Sequence, residues 1–266
     1  MDQYQKEFVK LIKQNTGRYR TYEVFRDFCE LAALSISNAV DRLQYAEREA
    51  RYIDIIQRYT REEAYRFPLM LAQIVESLEC RFHDCLGQLF MALDLSDHWK
   101  GQFFTPYEVS LLMAKISLSD AADIIEHKGF ITLNEPTCGG GAMVIACAHA
   151  LKDERINYQQ VMHVTAQDID QTAVHMSYIQ LSLLHIPAIV LHGNSLDPTK
   201  VWSHWATPAH VLGFWDSKLR HAASENAAIT TPKEEEAPLP LQPIIKQRED
   251  VIKHRIAKAE QLSLFA

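Results

Sequence analysis

Residues Glu135 to Met143, which read E-P-T-C-G-G-G-A-M, lie between a β-branched run and a helix-forming run. Gly139, Gly140 and Gly141 allow positive φ angles and let a ligand approach the backbone closely. A helix that follows such a loop directs its free N–H groups towards the same place. The pattern favours a ligand-binding loop, and a plain turn is the alternative.

Two further polar residues follow β-like runs, Asp168 after the second run and Asn194 after the third. In a doubly wound sheet, ligands bind outside the carboxyl ends of the strands. Asp168 is suited to accept hydrogen bonds from a ribose diol, and Asn194 is suited to read an adenine edge. Each is also typical of a helix cap or turn, as Asp170 is, but their occurrence at successive strand ends favours one site.

The segment Gly101-Gln102-Phe103-Phe104-Thr105-Pro106 precedes the glycine loop along the chain. We expect a helix to start here, with Thr105 as its cap and Pro106 at its first position. Pro68 is likewise expected near a helix start, where its missing N–H costs little.

The elements that must position these residues alternate between strand and helix. Strands are predicted at Phe130–Asn134, Val161–Gln167 and Ala188–His192, with helices reaching Leu151 and spanning Asp170–His185. Such alternation predicts parallel β-α-β units with right-handed crossovers. The expected fold class is therefore α/β.

The predicted sheet is flanked by regions with different sequence patterns. From about Tyr22 to Leu95, apolar residues recur at intervals of three and four, which predicts helices. We expect four regions along the chain: a helical region at 1–100, a ligand-binding domain at 101–221, a flexible linker at 222–243, and a helix with a terminal tail at 244–266.

The composition of the 266-residue chain is that of a globular protein, with 47% apolar residues and a net charge of −7. The charge argues against a chain that wraps nucleic acid by itself. Neither the five cysteines nor the 12 histidines have the spacing of a metal site or a disulfide framework. With no apolar run of membrane length and no leader pattern, we expect a cytoplasmic protein without a metal.

These segments resemble the adenine-specific DNA methyltransferases that serve as modification subunits of type I restriction systems. The resemblance runs from about Asp84 to Leu196. It includes a stretch like Asp84-Cys85-Leu86-Gly87, the G-Q-F-F-T-P segment, and a loop that reads [DE]-P-x-C-G-[ST]-G-G in that family. It implies a Rossmann-like, S-adenosylmethionine-dependent methyltransferase fold, preceded by an all-helical N-terminal region. The short stretch after Leu196 predicts that the sheet is reduced.

The resemblance also implies the cofactor and the residues that hold it. The segment at Phe104 would contact the methionine end of S-adenosylmethionine, and the loop after Glu135 would cradle it. Asp168 matches the residue that binds the ribose, and Asn194 matches the residue beside the adenine. The expected cofactor-binding residues are Phe104, Thr105, Pro106, Glu135, Thr137, Gly139, Gly141, Asp168 and Asn194.

The catalytic segment of the family, N-P-P-[FY], does not occur in the sequence. In the family its Asn binds the adenine amino group and its aromatic ring stacks on the flipped base. The nearest segment follows Ala206 and supplies only weak catalytic candidates, Thr207, Pro208 and His210. The stretch from Asp197 to Arg220 is also too short for the remaining strands of the family fold.

Within that stretch, only Ala209 to Trp215 is expected to add a strand. The aromatic residues between Asp197 and Arg220 are expected to cover the reduced sheet, and a dimer or partner surface is the alternative. These residues are Trp202, Trp205, Phe214 and Trp215.

The C-terminal residues resemble the short peptide by which bacterial polymerases and repair proteins bind the replication sliding clamp. Gln261, Leu262, Leu264 and Phe265 supply the polar and apolar positions of that peptide, behind a predicted linker. Docking of the tail on its own domain is the alternative.

The resemblance implies an S-adenosylmethionine-binding, DNA adenine N-6 methyltransferase-like protein in DNA modification or restriction-modification. Its DNA contacts would be made by the chain or through a partner, and a homodimer or another subunit is a possible partner. The alternative is a catalytically inactive regulatory protein that binds the clamp or a modification complex, with an anti-restriction role among the options.

Overall fold

The computed structural model describes residues 1–95 and 104–229. The helices before the sheet are α1 Gln3–Gln14, α2 Thr21–Val40, α3 Tyr45–Ile56, α4 Arg61–Cys80, α5 Cys85–Ala92, α6 Tyr107–Ser117 and α7 Ala121–Lys128. The remaining elements are β1 Ile131–Glu135, α8 Ala142–Asp153, α9 Tyr158–Val161, β2 Met162–Asp168, α10 Gln171–Leu183, β3 Ala188–Gly193, β4 Val201–Ala206, α11 Pro208–Leu212 and α12 Trp215–Ile229.

The N-terminal region is helical, as its periodicity predicts, but Pro68 does not mark a helix start. Helix α4 begins after Thr60, whose hydroxyl accepts a hydrogen bond from Glu63 N while the Glu63 carboxylate accepts one from Thr60 N. This reciprocal cap sets the start of the helix before the proline. Pro68 therefore lies inside α4, where it removes one backbone hydrogen bond.

The sheet has four strands in the order β1-β2-β3-β4. The pairs β1–β2 and β2–β3 are parallel, with Glu135 beside Ala166 and Asp168 beside His192. The predicted strands and parallel topology are thus confirmed, with ends shifted by at most one residue. The carboxyl ends of β1, β2 and β3 therefore lie at one edge of the sheet. The fold is α/β, and the sheet is reduced, with four strands, as expected.

The fourth strand is not the one predicted. Strand β4 is formed by Val201–Ala206 and runs antiparallel to β3, with Trp205 beside Val190. The stretch from Ala209 to Trp215 instead forms α11 and the start of α12. The local reason is that Thr207 caps α11 through a hydrogen bond from His210 N and Pro208 takes its first position.

One face of the sheet is covered by two layers of helices. Helix α8 packs on β1, α10 packs on β2 and β3, and α2 packs on the outer side of α10. The predicted regions 1–100 and 101–221 therefore share one core, and both belong to the compact unit Met1–His221.

The opposite face is covered only in part. The Trp215 ring packs 5.2 Å from the His163 ring and 5.4 Å from the Phe130 ring. Trp205 and Trp215 are buried, as the covering role predicts, whereas Trp202 and Phe214 are 55% and 75% exposed. Among the described residues, no strand pairs with the outer edge of β1.

A second unit comprises Ala222–Ala266, a range that includes the predicted linker. Residues 222–229 nevertheless continue α12 rather than an extended linker. The rest of the predicted linker, the predicted helix at 244–260 and the tail residues Gln261, Leu262, Leu264 and Phe265 lie outside the described residues.

Four of the five cysteines are buried thiols and Cys80 is exposed; all five are free. Over residues 1–95 and 104–229, no helix combines the length and apolar character needed to cross a membrane.

Candidate functional site

The glycine loop connects β1 to α8 and is held by backbone hydrogen bonds. Cys138 N donates to Gln167 O at 2.8 Å, which ties the loop to the end of β2. Gly139 and Gly141 have φ angles of 52° and 96°, in the left-handed region that favours glycine. The sequence between the strand and the helix therefore folds as a tight turn at the carboxyl edge of the sheet.

Asp168 joins this loop directly. Its carboxylate accepts a hydrogen bond from Gly139 N at 2.8 Å and another from Asp170 N at 2.9 Å. Burial raises the pKa of Asp168, and the backbone hydrogen bonds partly oppose that shift. The structure thus brings together the loop and the acidic residue that the sequence analysis placed in one site.

Phe104 lies against the same loop. A Cβ atom added to Gly139 would meet the Phe104 ring at 2.9 Å, and the ring also packs 5.1 Å from that of Phe90. The segment that carries Phe104 is therefore in contact with the loop, as expected. Gly101, Gln102 and Phe103 of the same motif lie outside the described residues.

The two residues after Phe104 differ from the prediction. Helix α6 begins at Tyr107, so Pro106 occupies the cap position and Thr105 lies outside the helix. Pro106 has an extended backbone, with φ −54° and ψ 136°, and no side chain caps this helix. Thr105 and Pro106 are exposed next to Phe104, which leaves both side chains accessible to a ligand.

The underside of the loop rests on α10. The hydroxyl of Ser177 donates to Gly139 O at 2.7 Å, and Gln180 Nε2 donates to Gly140 O at 2.7 Å. The same amide donates to the buried Asp84 carboxylate at 2.8 Å. Sequence reasoning quoted Asp84 within a motif but missed Ser177 and Gln180, whose signal is two polar residues at helical spacing in an apolar helix.

The glycines make room for protein side chains. Besides the Phe104 ring at Gly139, an added Cβ would meet the Asp84 carboxylate at 2.9 Å from Gly140 and Ser177 Oγ at 3.2 Å from Gly141. The loop therefore packs between the Phe104 ring on one side and the side chains of Asp84 and Ser177 on the other. Glycine at these three positions permits the close packing of the loop.

The remaining predicted cofactor residues lie at the same edge. Glu135 ends β1, and its carboxylate accepts a hydrogen bond from Thr137 N at 3.3 Å. Asn194 follows β3, and its side-chain oxygen accepts a hydrogen bond from Leu196 N at 3.0 Å. Asn194 thus also closes its own turn, as Asp170 caps α10 through Thr172 N and Ala173 N.

Cys138 is not an activated nucleophile. The thiol is buried, and burial raises its pKa to about 12. A thiol with this pKa stays protonated near neutral pH.

The weak catalytic candidates lie away from this edge. Thr207 N donates to Ala188 O at 3.0 Å, which places the segment beside the first residue of β3, at the amino edge of the parallel strands. The Thr207 hydroxyl is fully buried and donates to Ile186 O at 2.8 Å. His210 is buried, and its Nδ1 atom lies 2.9 Å from Nε2 of His163. The structure therefore does not bring Thr207, Pro208 and His210 to the glycine loop.

One solved structure with detectable similarity is a chain from Listeria monocytogenes, provisionally described as a class I S-adenosylmethionine-dependent methyltransferase. It shares 15% sequence identity with this chain, and the alignment covers 74% of this chain and 55% of that one, with a TM-score of 0.39. A structural similarity this weak does not support a functional assignment. None of the curated proteins compared with the chain matches it.

The family comparison covers the site itself. Residues 90–211 match the model of the N-6 DNA methylase family. The matched range contains Phe104, the glycine loop, Asp168 and Asn194, and it ends with the Thr207 segment. Over residues 90–211, this chain is therefore similar to the N-6 DNA methylase family.

Proposed function

We propose that the carboxyl edge of the sheet binds S-adenosylmethionine and that the protein acts in the N-6 methylation of adenine in DNA. The observation that carries the proposal is the hydrogen bond from Gly139 N to the Asp168 carboxylate. It joins the glycine loop to the acidic residue at the end of the neighbouring strand, at the place where a doubly wound sheet binds its ligands.

The residues at this edge fit the chemistry of the cofactor. Each oxygen of Asp168 accepts one backbone hydrogen bond and retains capacity to accept another from a ribose hydroxyl. Ile169 and Leu196 are 64% and 94% exposed beside Asp168 and Asn194, and offer apolar surface to an adenine ring. The loop from Glu135 to Met143 contains no Lys or Arg, which suits a sulfonium cation better than a polyphosphate.

The bound cofactor would supply an electrophilic methyl group. The protein would hold and orient it: Phe104 and the glycine loop would flank the methionine end, and Thr105 and Thr137 would offer hydroxyl groups to it. Asp168 would fix the ribose, and Asn194 would accept or donate at the adenine edge. The network of Ser177 and Gln180 would keep the loop in this conformation before the cofactor arrives.

A matched pair of variants tests the cofactor site. We expect Asp168→Asn to weaken binding of S-adenosylmethionine by at least about tenfold, since an amide offers one acceptor oxygen where the carboxylate offers two. Asp170→Asn should leave the affinity within about twofold, because Asn caps a helix about as well as Asp. Calorimetric titration of each full chain provides the measurement. Equal affinities in the two variants would show that Asp168 does not contact the cofactor.

A catalytically inactive regulatory protein is the second candidate. The observation in its favour is the position of Thr207, Pro208 and His210 at the amino edge of the strands, away from the glycine loop. Transfer of labelled methyl groups from S-adenosylmethionine to an adenine-containing duplex separates the two. Transfer by the chain alone would exclude the inactive protein, whereas cofactor binding without transfer would support it.

We also propose that the tail binds the bacterial sliding clamp through Gln261, Leu262, Leu264 and Phe265. The support is the sequence pattern alone. Deletion of residues 261–266 should abolish binding of the full chain to purified clamp, and an unchanged affinity would exclude the proposal. Replacement of Ser263 by Ala, between the two anchor leucines, provides the control.

A further inference from the structure

Helix α6 exposes an apolar stripe on the side that faces away from the protein core. Val109, Leu112, Met113 and Ile116 are 46%, 62%, 47% and 67% exposed. Their spacing of three and four residues places them on one face of the helix. These four residues, here called the α6 stripe, form a continuous apolar row, unlike the isolated surface apolar residues that soluble proteins tolerate.

The opposite face of α6 fixes the orientation of the helix. Ser110 and Ala114 are fully buried where α6 packs on α8. The Tyr107 hydroxyl lies 2.9 Å from His149 Nδ1, and Lys115 Nζ lies 2.7 Å from the Asp153 carboxylate. Rotation of the helix to bury the α6 stripe would break these contacts. The stripe is therefore an outward surface of a helix that is already packed.

We propose that the α6 stripe is a self-association surface, on which a second copy of this chain packs its own α6 in antiparallel orientation. A two-fold axis near Leu112 and Met113 would place Val109 of one copy against Ile116 of the other. The central contacts would then be made by Leu112 and Met113 themselves. An antiparallel pair also opposes the two helix dipoles favourably.

The charges that flank the α6 stripe fit this arrangement. Glu108 lies at the amino end of α6 and Lys115 near its carboxyl end, seven residues apart and so on the same side of the helix. Antiparallel pairing would bring Glu108 of each copy to Lys115 of the other, giving two symmetric ion pairs. Lys115 already contacts Asp153, but an ammonium group has three donors and can serve both carboxylates.

The size of the α6 stripe determines how tightly the two copies are expected to associate. The α6 stripe is about 10 Å long, from the rise of the helix, and one such helix pair buries less than a standard interface of about 1,600 Å². We therefore expect reversible dimers with a dissociation constant in roughly the micromolar range.

Sedimentation velocity of the full chain over a concentration series tests the proposal, with two leucine variants of similar exposure. Leu112→Glu should raise the dimer dissociation constant at least about tenfold, since two carboxylates would meet near the axis. Leu212→Glu, at a leucine that is 70% exposed on α11, should leave it within about twofold. A wild-type chain that stays monomeric, or a dimer that Leu112→Glu does not weaken, would overturn the proposal.

Disulfide cross-linking tests the antiparallel register. In a Cys80→Ser background, which removes the exposed native thiol, the Leu112→Cys or Met113→Cys variant should form cross-linked dimers readily. The Ile116→Cys variant should do so much more slowly, because its two thiols would lie roughly 10 Å apart along the helices. Faster cross-linking at position 116 would exclude this arrangement. Far-UV circular dichroism checks that each variant is folded.

Discussion

At the residue scale, the glycine loop depends on backbone angles and on space that only glycine provides. We expect Gly141→Ala to destabilise the fold by roughly 1–3 kcal/mol, because the residue has φ of 96° and its Cβ would crowd Ser177. Gly17→Ala is the control, since no atom lies within 4 Å of its added Cβ. Urea denaturation measures both, and equal costs would show that the loop tolerates a side chain.

His175 is a second residue whose environment has a measurable consequence. It is buried against the Trp205 ring, neither ring nitrogen has a hydrogen-bond partner among the described residues, and burial lowers its pKa to about 3. Because the unfolded chain takes up this proton near pH 6.5, the folded state loses stability as the pH falls from about 6.5 towards 3.

The expected loss from His175 between pH 7 and pH 5 is roughly 2 kcal/mol, at 1.36 kcal/mol per pH unit below 6.5. His175→Phe should flatten the pH dependence of the free energy of unfolding by about that amount. The variant His127→Gln, at an exposed position on α7, should retain the wild-type slope. An unchanged slope in His175→Phe would contradict the assigned burial.

At the scale of elements, the sequence predicts the strands and helices that local periodicity and local turn chemistry determine. The strands β1, β2 and β3 and the helices between them follow from β-branched runs and from caps such as Asp170. The position of the loop, Asp168 and Asn194 at one edge follows from the parallel order of β1, β2 and β3, whose carboxyl ends lie together. These features depend on few residues that are close together in sequence.

What the sequence did not reveal depends on distant contacts. Strand β4 buries only its last two residues, and polar residues interrupt its apolar pattern, which is weak compared with the apolar run after Thr207. Ser177 and Gln180 support the loop from α10, but only the folded chain shows which residue each of them bonds. Pro68 lies inside α4, and not at its start as predicted, because the capping pair Thr60 and Glu63 starts the helix earlier in the chain.

The attachment of β4 to the helical region gives a prediction at this scale. The Arg48 guanidinium of α3 donates to His204 O at 2.8 Å, lies 4.1 Å from the Trp205 ring centroid and pairs with Asp41 at 3.2 Å. The side chain is buried, so its loss removes a donor from the His204 carbonyl and leaves the Asp41 carboxylate with Gln44 Nε2 but without its ion-pair partner.

We expect Arg48→Met to cost roughly 3 kcal/mol of stability and to speed hydrogen exchange at the amides of β4 more than at those of β2. Arg18→Met is the matched control, because the Arg18–Glu63 pair is exposed on the arginine side and should contribute less than about 1 kcal/mol. A similar small cost for both variants would mean that Arg48 does not hold β4 in place.

At the scale of the whole molecule, a helical region and a reduced sheet share one core in the unit Met1–His221. The sheet presents the glycine loop, Asp168 and Asn194 together, whereas the segment nearest to a catalytic motif lies at its other edge. This asymmetry favours cofactor binding over a complete active site within the described residues.

The most direct test of this account is the location of the bound cofactor. Ultraviolet cross-linking of methyl-labelled S-adenosylmethionine to the full chain, followed by peptide mapping, should place the label in peptides that contain Phe104, the loop from Glu135 to Met143, or Asp168. Excess unlabelled cofactor should compete the label away. Absence of specific labelling, or label confined to peptides such as the one around Thr207, would contradict the account.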